Sequence, residues 1–373
     1  MNKKLIAVAV AGAFGVPSIA AAQVTVSGKF GIQLTNISIG NPTAARAGLH
    51  TSETLVNDNA SIIRFGAVED LGGGMEAFGQ YELRPMMDNG GGATAGVLDV
   101  GSKTGVNFVG LRSKAWGSVR AGTDVTFADR GAGLTTNASQ HYSTSGSQAY
   151  VMLGGTAVSF SSSRQQNMIF YDTPDLGDFK ATIAWSSNPN GLDADLANAG
   201  RAGRAWYLFP EYNFGIARVG YKYADIKDDQ LTWDLKANGI WAEVTIAGIE
   251  TGFTYTKIKA TNPVGGASII DVSKWLIPVR YRFGNSVVGF TYSKSGDDKV
   301  QAGDQSARHT MLSYIYNFST RTNVGVSYVR MANAAAAQLD ATSTSTNGYA
   351  STNASANLGE TQRLISLSLN HTF

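Results

Sequence analysis

Apolar and polar side chains alternate with a period of two in segment after segment of this chain, a pattern that suits half-buried strands and few other folds. Phe179, Ala181, Ile183 and Trp185 alternate with Lys180, Thr182, Ala184 and Ser186. Ile249, Thr251, Phe253 and Tyr255 alternate with Glu250, Gly252, Thr254 and Thr256, and Trp275, Ile277, Val279, Tyr281 and Phe283 with Leu276, Pro278, Arg280 and Arg282. In a strand, successive side chains point to opposite faces, so each segment has one greasy, aromatic-tipped face and one polar face. The tail repeats the pattern: Ile365, Leu367, Leu369 and Phe373 against Ser366, Ser368, Asn370 and Thr372, with Leu364 and His371 as exceptions. Near the start, Val24, Val26, Phe30, Ile32 and Leu34 oppose Thr25, Ser27, Lys29, Gln33 and Thr35, so the first and last strands match. Residues 205–214 carry aromatics on both parities, and residues 166–171 take no clear face.

The connections come in two sizes that alternate. Short ones lie at residues 69–74, 114–117, 174–178, 213–215, 247–248, 284–285 and 317–323, most with turn chemistry. Long ones, mostly rich in Gly, Ser, Thr, Ala, Asn and Asp, cover residues 40–59, 86–104, 124–164, 188–203, 226–233, 259–273, 295–306 and 332–360. Seven short turns and eight long loops make fifteen connections and predict sixteen strands in one antiparallel meander. A soluble sandwich or propeller also alternates, but it does not explain loops sorted by size, which in outer-membrane barrels separates periplasmic turns from extracellular loops. A strand of about ten residues, tilted by ~40°, spans roughly the 25 Å apolar band of such a barrel. Trp185, Tyr255, Phe283 and Phe318 would then form interfacial girdles.

The amino terminus fits export. Lys3 and Lys4 precede a mostly apolar run over residues 5–16 and then Ala20-Ala21-Ala22, the three parts of a secretory signal, with cleavage expected after Ala22. That run is shorter than the ~20 apolar residues of a membrane-spanning helix. The expected division is residues 1–22 as signal and 23–373 as barrel. Losing the two lysines leaves 28 basic against 28 acidic residues, which removes the electrostatic basis for nucleic-acid binding. There is no cysteine, so an exported chain must rely on its backbone ladder and packing. With 43 glycines and a charged fraction of 16%, it is a turn-rich β protein; if it enters a membrane it does so as a closed barrel.

Several motifs now resemble those of the general porins of Gram-negative bacteria, especially the beta-proteobacterial and neisserial type. They are Ile63-Arg64-Phe65-Gly66 with Glu69-Asp70-Leu71-Gly72, then Asn107-Phe108-Val109-Gly110-Leu111, Phe170-Tyr171-Asp172-Thr173-Pro174 and Tyr281-Arg282-Phe283-Gly284. Asn317-Phe318-Ser319-Thr320-Arg321-Thr322 and the terminal Asn370-His371-Thr372-Phe373 complete the set, so the likeness covers nearly the whole mature chain. It implies a homotrimer of sixteen-stranded antiparallel transmembrane β-barrels, each with a water-filled pore narrowed by an inward-folded third loop. It also implies that Phe373 belongs to the signal read by the outer-membrane assembly machinery.

A diffusion pore needs a narrow place with a polar lining rather than a catalytic group. By loop order residues 124–164 are the third and longest loop, hence the candidate constriction. The resemblance implies acids there opposite basic wall residues: Asp124 and Asp129, offset by Arg130 and Arg164, face Arg64. The spacing from Arg64 to Glu69-Asp70 is shorter than in relatives, and Thr123 stands where many carry arginine. Parity assigns further wall positions: Lys29, Arg84, Arg120, Lys180, Arg218, Lys222, Arg280 and Arg282, balanced by Glu76, Glu82, Glu243 and Glu250. The wall is more basic than acidic, which favours anions weakly.

Histidines 50, 141, 309 and 371 lack metal-ligand spacing, and Gly90-Gly91-Gly92 lacks the strand-to-helix setting and lysine of a phosphate loop. No cofactor is expected. The reading is an outer-membrane channel for small hydrophilic solutes and ions, with the surrounding lipid and the assembly machinery as partners. Alternatives are a solute-specific channel and a plugged barrel acting as enzyme or adhesin, for which His141 near Ser139 and Ser143 is the sole hint.

Overall fold

The computed structural model describes residues 23–85, 105–125, 164–187, 203–228, 233–263, 265–339 and 356–373, together with Met87, Phe127 and Ala341. The expected signal segment, Asp129, Arg130 and the side chain of Arg164 lie outside the described residues. Seventeen strand segments follow in chain order: β1 (Gln23–Gly40), β2 (Ser52–Asp58), β3 (Ile62–Gly72), β4 (Met75–Leu83), β5 (Asn107–Ser113), β6 (Gly117–Val125), β7 (Arg164–Asp172) and β8 (Phe179–Ser186). The remainder are β9 (Arg204–Asn213), β10 (Ala217–Asp228), β11 (Trp233–Ile246), β12 (Ile249–Thr261), β13 (Ser268–Phe283), β14 (Ser286–Ser295), β15 (Ala307–Asn317), β16 (Thr322–Asn333) and β17 (Thr361–Thr372).

From β3 onward each strand pairs antiparallel with the next, and β17 returns to β1 to close a ring of sixteen staves. The seam runs from Lys29 opposite Thr372 to Gly40 opposite Thr361. Closure removes the free edges that an open sheet of this size would expose.

The extra segment, β2, lies where the sequence predicts the first long loop. β2 pairs with the upper part of β1, Ile32 opposite Asp58, while β3 pairs with the lower part, Lys29 opposite Ile62. Phe30 and Gly31 therefore face three residues, Asn59, Ala60 and Ser61, which is a one-residue bulge between two halves of one stave. Ala60 takes φ 53°, and Ser61 N–H and Oγ bond to Asp58 and Gly31 O. Two other expected loops shrink: β10 and β11 leave only residues 229–232, and β12 and β13 leave 262–267. Lys227 and Lys259 lie inside these expected loops, yet with Asp225, Lys236 and Lys257 they continue the strands on the outward face beyond the aromatic residues.

Burial confirms the predicted faces. Along β17, Ile365, Leu367 and Leu369 are exposed on the outside while Ser366, Ser368 and Asn370 are buried inside. Outward aromatics pair in two tiers, with Trp185–Trp206 and Trp275–Tyr292 toward the long loops and Tyr281–Phe283 and Tyr316–Phe318 toward the short turns. Trp275 and Phe283 are separated along β13 by a rise of ~20 Å along the barrel axis, near the thickness of an apolar band.

The inner face is not polar throughout. Toward the long loops, Ile37, Met311, Val329, Met331 and Leu364 form a buried apolar cluster with Leu339 and Ala341 of the last loop, which explains Leu364 as an exception to the tail pattern. A second cluster holds Met168, Phe170, Tyr207, Phe209 and Ile226 with Phe127, just past β6. Residues 205–214 carry aromatics on both parities for this reason: Trp206 and Leu208 face out, Tyr207 and Phe209 face this inner cluster. Phe127, Leu339 and Ala341, from the connections at this end, pack on these inner positions.

A buried ion pair fastens the first loop to the last. Arg46, on a short 3-10 helix (Ala44–Arg46), donates to Glu360 at 2.7–2.8 Å, with both side chains almost fully buried. Thr43 N–H and Asn357 N–H also donate to this carboxylate, at 3.0 and 2.8 Å. Burial alone would push the Glu360 carboxyl up, but Arg46 and the two amides outweigh it and hold the group down at about 2. A depressed carboxyl stabilises the latch above its unfolded value of 4.5 and loses that contribution as pH falls toward 2. The protection of the amides of residues 43–50 and 357–360, as the ratio of intrinsic to observed exchange rate at each pH, is therefore expected to hold down to about pH 4.5 and to fall below it. In Glu360→Gln, protection should be low at neutral pH and flat across that window, because Arg46 is left buried without its counter-charge.

Candidate functional site

Inward side chains from all around the ring line the interior, and charged ones meet as cross-strand pairs. Arg64 of β3 stands opposite Glu82 of β4, Glu76 opposite Arg112, Arg218 opposite Glu243, and Glu250 opposite Arg280. The period of two puts both members of each pair on the same face, and the register puts them side by side.

The first basic group lies on β1, on β3 and just past the end of β4. Arg64 Nε donates to Glu82 Oε2 at 2.9 Å and Arg84 Nε to Glu82 Oε1 at 2.8 Å, so one buried carboxylate holds two guanidinium groups. Lys29 Nζ donates to Asn59 O at 2.6 Å. Asp58 accepts the Ser61 amide within the bulge, so on this side the cations outnumber the acids. Arg64 remains 45% exposed despite its partner and presents its charge to the interior.

The second group centres on Arg120 of β6. It donates to Asp124 at 2.8–3.0 Å and forms an ion pair with Asp172 of β7. Ser118 and Thr182 donate to the same Asp172 carboxylate at 2.9 and 2.7 Å. The guanidinium lies between two rings, 5.6 Å from Phe108 and 4.6 Å from Phe170. Asp124 thus belongs to the wall: β6 runs through Val125, and the loop acid expected at 124 is a strand residue held by its own strand's Arg120. The alternation Thr123, Asp124, Val125 continues β6 and was the available signal.

On the far wall, Arg218 bonds Glu243 and covers Trp241 at 5.6 Å, while Arg280 and Arg282 share Glu250, with Nε to Oε1 distances of 3.1 and 2.9 Å. Trp241 folds inward over Gly220, where a Cβ would stand 2.3 Å from the indole. Lys180 faces Glu211 across β8 and β9 and is exposed. Lys222 is buried, donating to Phe127 O at 3.3 Å with its ammonium 4.5 Å from the Phe127 ring. That contact brings the start of the third long loop against the inner wall.

Sequence parity found most of these residues, but missed Arg112, Asp172 and Lys274. Asp172 and Arg112 sat beside turns, and Lys274 beside a stretch read as loop, although the inward parity of Leu276 extends back to it. Among the described residues no group of His, Cys, Asp and Glu could hold a metal ion. Charged pairs and flat-lying guanidinium groups on a closed wall can sort ions by charge and solutes by size.

Comparisons with known proteins agree with this geometry. A family profile described as Gram-negative porin matches residues 7–336. An outer membrane porin protein of Bordetella pertussis is 24% identical over 312 residues, covering 74% of this chain and 78% of that protein. Major outer membrane protein P.IB of Neisseria gonorrhoeae is 24% identical over 342 residues, covering 88% of this chain and 92% of that protein. Among solved structures, the anion-selective porin from Comamonas acidovorans superposes with a TM-score of 0.73 at 20% identity, over 94% of this chain and 100% of that one.

Proposed function

The chain belongs to the Gram-negative porin family and is an outer-membrane porin, and from that premise we propose that it passes small hydrophilic solutes and ions passively, with a weak preference for anions. Family and fold both imply a channel rather than an enzyme. The observation that carries the anion preference is the Lys29, Arg64 and Arg84 group, in which a single wall carboxylate, Glu82, holds two guanidinium groups. The anion selectivity in the name of the Comamonas acidovorans structure supports the same sign. Arg64 and Asp124, with Asp129 and Arg130 of the third loop, form the proposed constriction; Phe127 against Lys222 supports a loop that turns inward.

The finer points of the reading are a homotrimer, cleavage of residues 1–22 during export, and recognition of Phe373 by the assembly machinery. The purified protein in a planar bilayer is expected to give stepwise conductance, with a reversal potential of anion sign in a salt gradient. A silent membrane despite correct insertion would overturn the channel, and a cation-signed potential the preference.

A further inference from the structure

Four cations stand on the outward face of β14 to β17 at the long-loop end. Lys294 lies between buried Ser293 and Ser295, Arg308 between Ala307 and His309, Arg330 between Val329 and Met331, and Arg363 between Gln362 and Leu364. With both neighbours buried inside, each of the four points outward. The register sets like charges directly side by side: Lys294 opposite Arg308 and Arg330 opposite Arg363, with Arg308 and Arg330 on a diagonal. Such pairs repel unless an anion lies between them.

No described carboxylate closes an ion pair with any of the four; Asp304 in the adjoining loop is within electrostatic reach of Lys294 and Arg308 only. The contrast with the neighbouring strands is plain. At the same end of the wall, Lys257 and Lys259 close on Asp271 at 3.0 and 3.4 Å, and Lys227 on Asp234 at 3.7 Å.

The same four strands carry a hollow of about 330 Å³ on the outside, lined by Val288, Leu312, Tyr314, Val326, Tyr328 and Ile365. Tyr328 and Ile365 lie two residues from Arg330 and Arg363 toward the middle of the apolar band, a step of roughly 7 Å. A cationic row above an apolar hollow matches one kind of molecule. We propose that β14 to β17 form a binding site for a lipid with a phosphate-bearing headgroup, the phosphate held by Lys294, Arg308 and Arg330 with the Arg363 guanidinium beside them over Gly40 of β1, and an acyl chain filling the hollow. Guanidinium groups suit this ligand because they bond phosphate oxygens in a fork. The site lies on the lipid side of the wall and is independent of the ion preference of the pore.

The test uses the whole protein in phosphatidylcholine nanodiscs doped with phosphatidic acid, with bound lipid counted by native mass spectrometry. The wild type is expected to retain phosphatidic acid over phosphatidylcholine by roughly tenfold or more. The variant K294Q/R308Q/R330Q/R363Q should lose that preference while keeping wild-type conductance, which shows that it folds; if it does not insert, R330Q/R363Q serves the same purpose. K257Q/K259Q, whose lysines already share Asp271, should retain the preference. An unchanged preference in the four-site variant overturns the proposal. So does release of the lipid by millimolar inorganic phosphate, which would mark a free-anion site. Cross-linking of Leu312→Cys between subunits would assign the hollow to a second copy, and overturns it equally.

Discussion

Arg64→Ala combined with Arg84→Ala is expected to shift the permeability of the channel toward cations, read as a change of reversal potential in a salt gradient. Arg64 and Arg84 each bond one oxygen of Glu82, so their removal leaves Glu82 without either guanidinium and Lys29 as the cation of this stretch of wall. An ion passing ~5 Å from one fixed charge in water feels roughly 0.8 kcal/mol, about a fourfold change in its local concentration. Two such charges change the local anion concentration on the order of tenfold at low salt, and less as salt screens them. Arg64→Ala alone should give part of that shift, because Arg64 is the more exposed of the two. Lys180→Ala is the control, since Lys180 faces Glu211 near the short turns. An unchanged reversal potential in the double variant would remove both arginines from the narrow place.

Gly28→Val is expected to leave less than a tenth of the protein as closed barrel. Gly28 sits where three strands meet: its N–H donates to Phe373 O and its carbonyl accepts from Phe373 N–H, both at 3.0 Å, while β3 lies on its other side. A Cβ there would stand 2.3 Å from Ile62 O and 2.6 Å from the Phe373 ring. The ring, packed 4.9 Å from Phe30, could move; the carbonyl is part of the ladder and could not without opening it. The heat-dependent shift in gel mobility of the folded barrel measures closure. Deleting Phe373 should lower outer-membrane levels without altering secretion, through loss of the same bonds and of the proposed assembly signal. Adding Phe373→Ala to Gly28→Val should not rescue closure, because the Ile62 carbonyl remains. Wild-type closure in Gly28→Val would show that the seam tolerates a wider separation of β1 and β3.

The staves and their faces were legible because each strand meets two different solvents. Ile365, Leu367 and Leu369 had to be apolar and Ser366, Ser368 and Asn370 polar whichever residues lay opposite, so local alternation carried the information. The same holds for the wall charges Lys29, Arg120, Arg218 and Arg280, whose inward direction follows from parity alone, whereas Arg64 came from the family resemblance. The signal failed where the solvents change. Beyond the aromatic tiers the outside is polar and loop residues pack on the inside, so Lys259 read as loop and Leu364 as an anomaly. The bulge at Asn59, Ala60 and Ser61 was hidden because an extra residue in one stave is visible only against its partner.

The sequence by itself therefore determined the class of fold, the closing pair of strands and the polarity of each wall, since these depend on neighbours two residues apart. Only the tertiary structure decided which charges meet. That Glu82 holds Arg64 and Arg84, that Asp124 answers Arg120 rather than a distant arginine, and that Arg330 faces Arg363 are facts of register. Register is set by turn lengths, the bulge and closure of the whole ring, and a slip of one residue anywhere would exchange the partners.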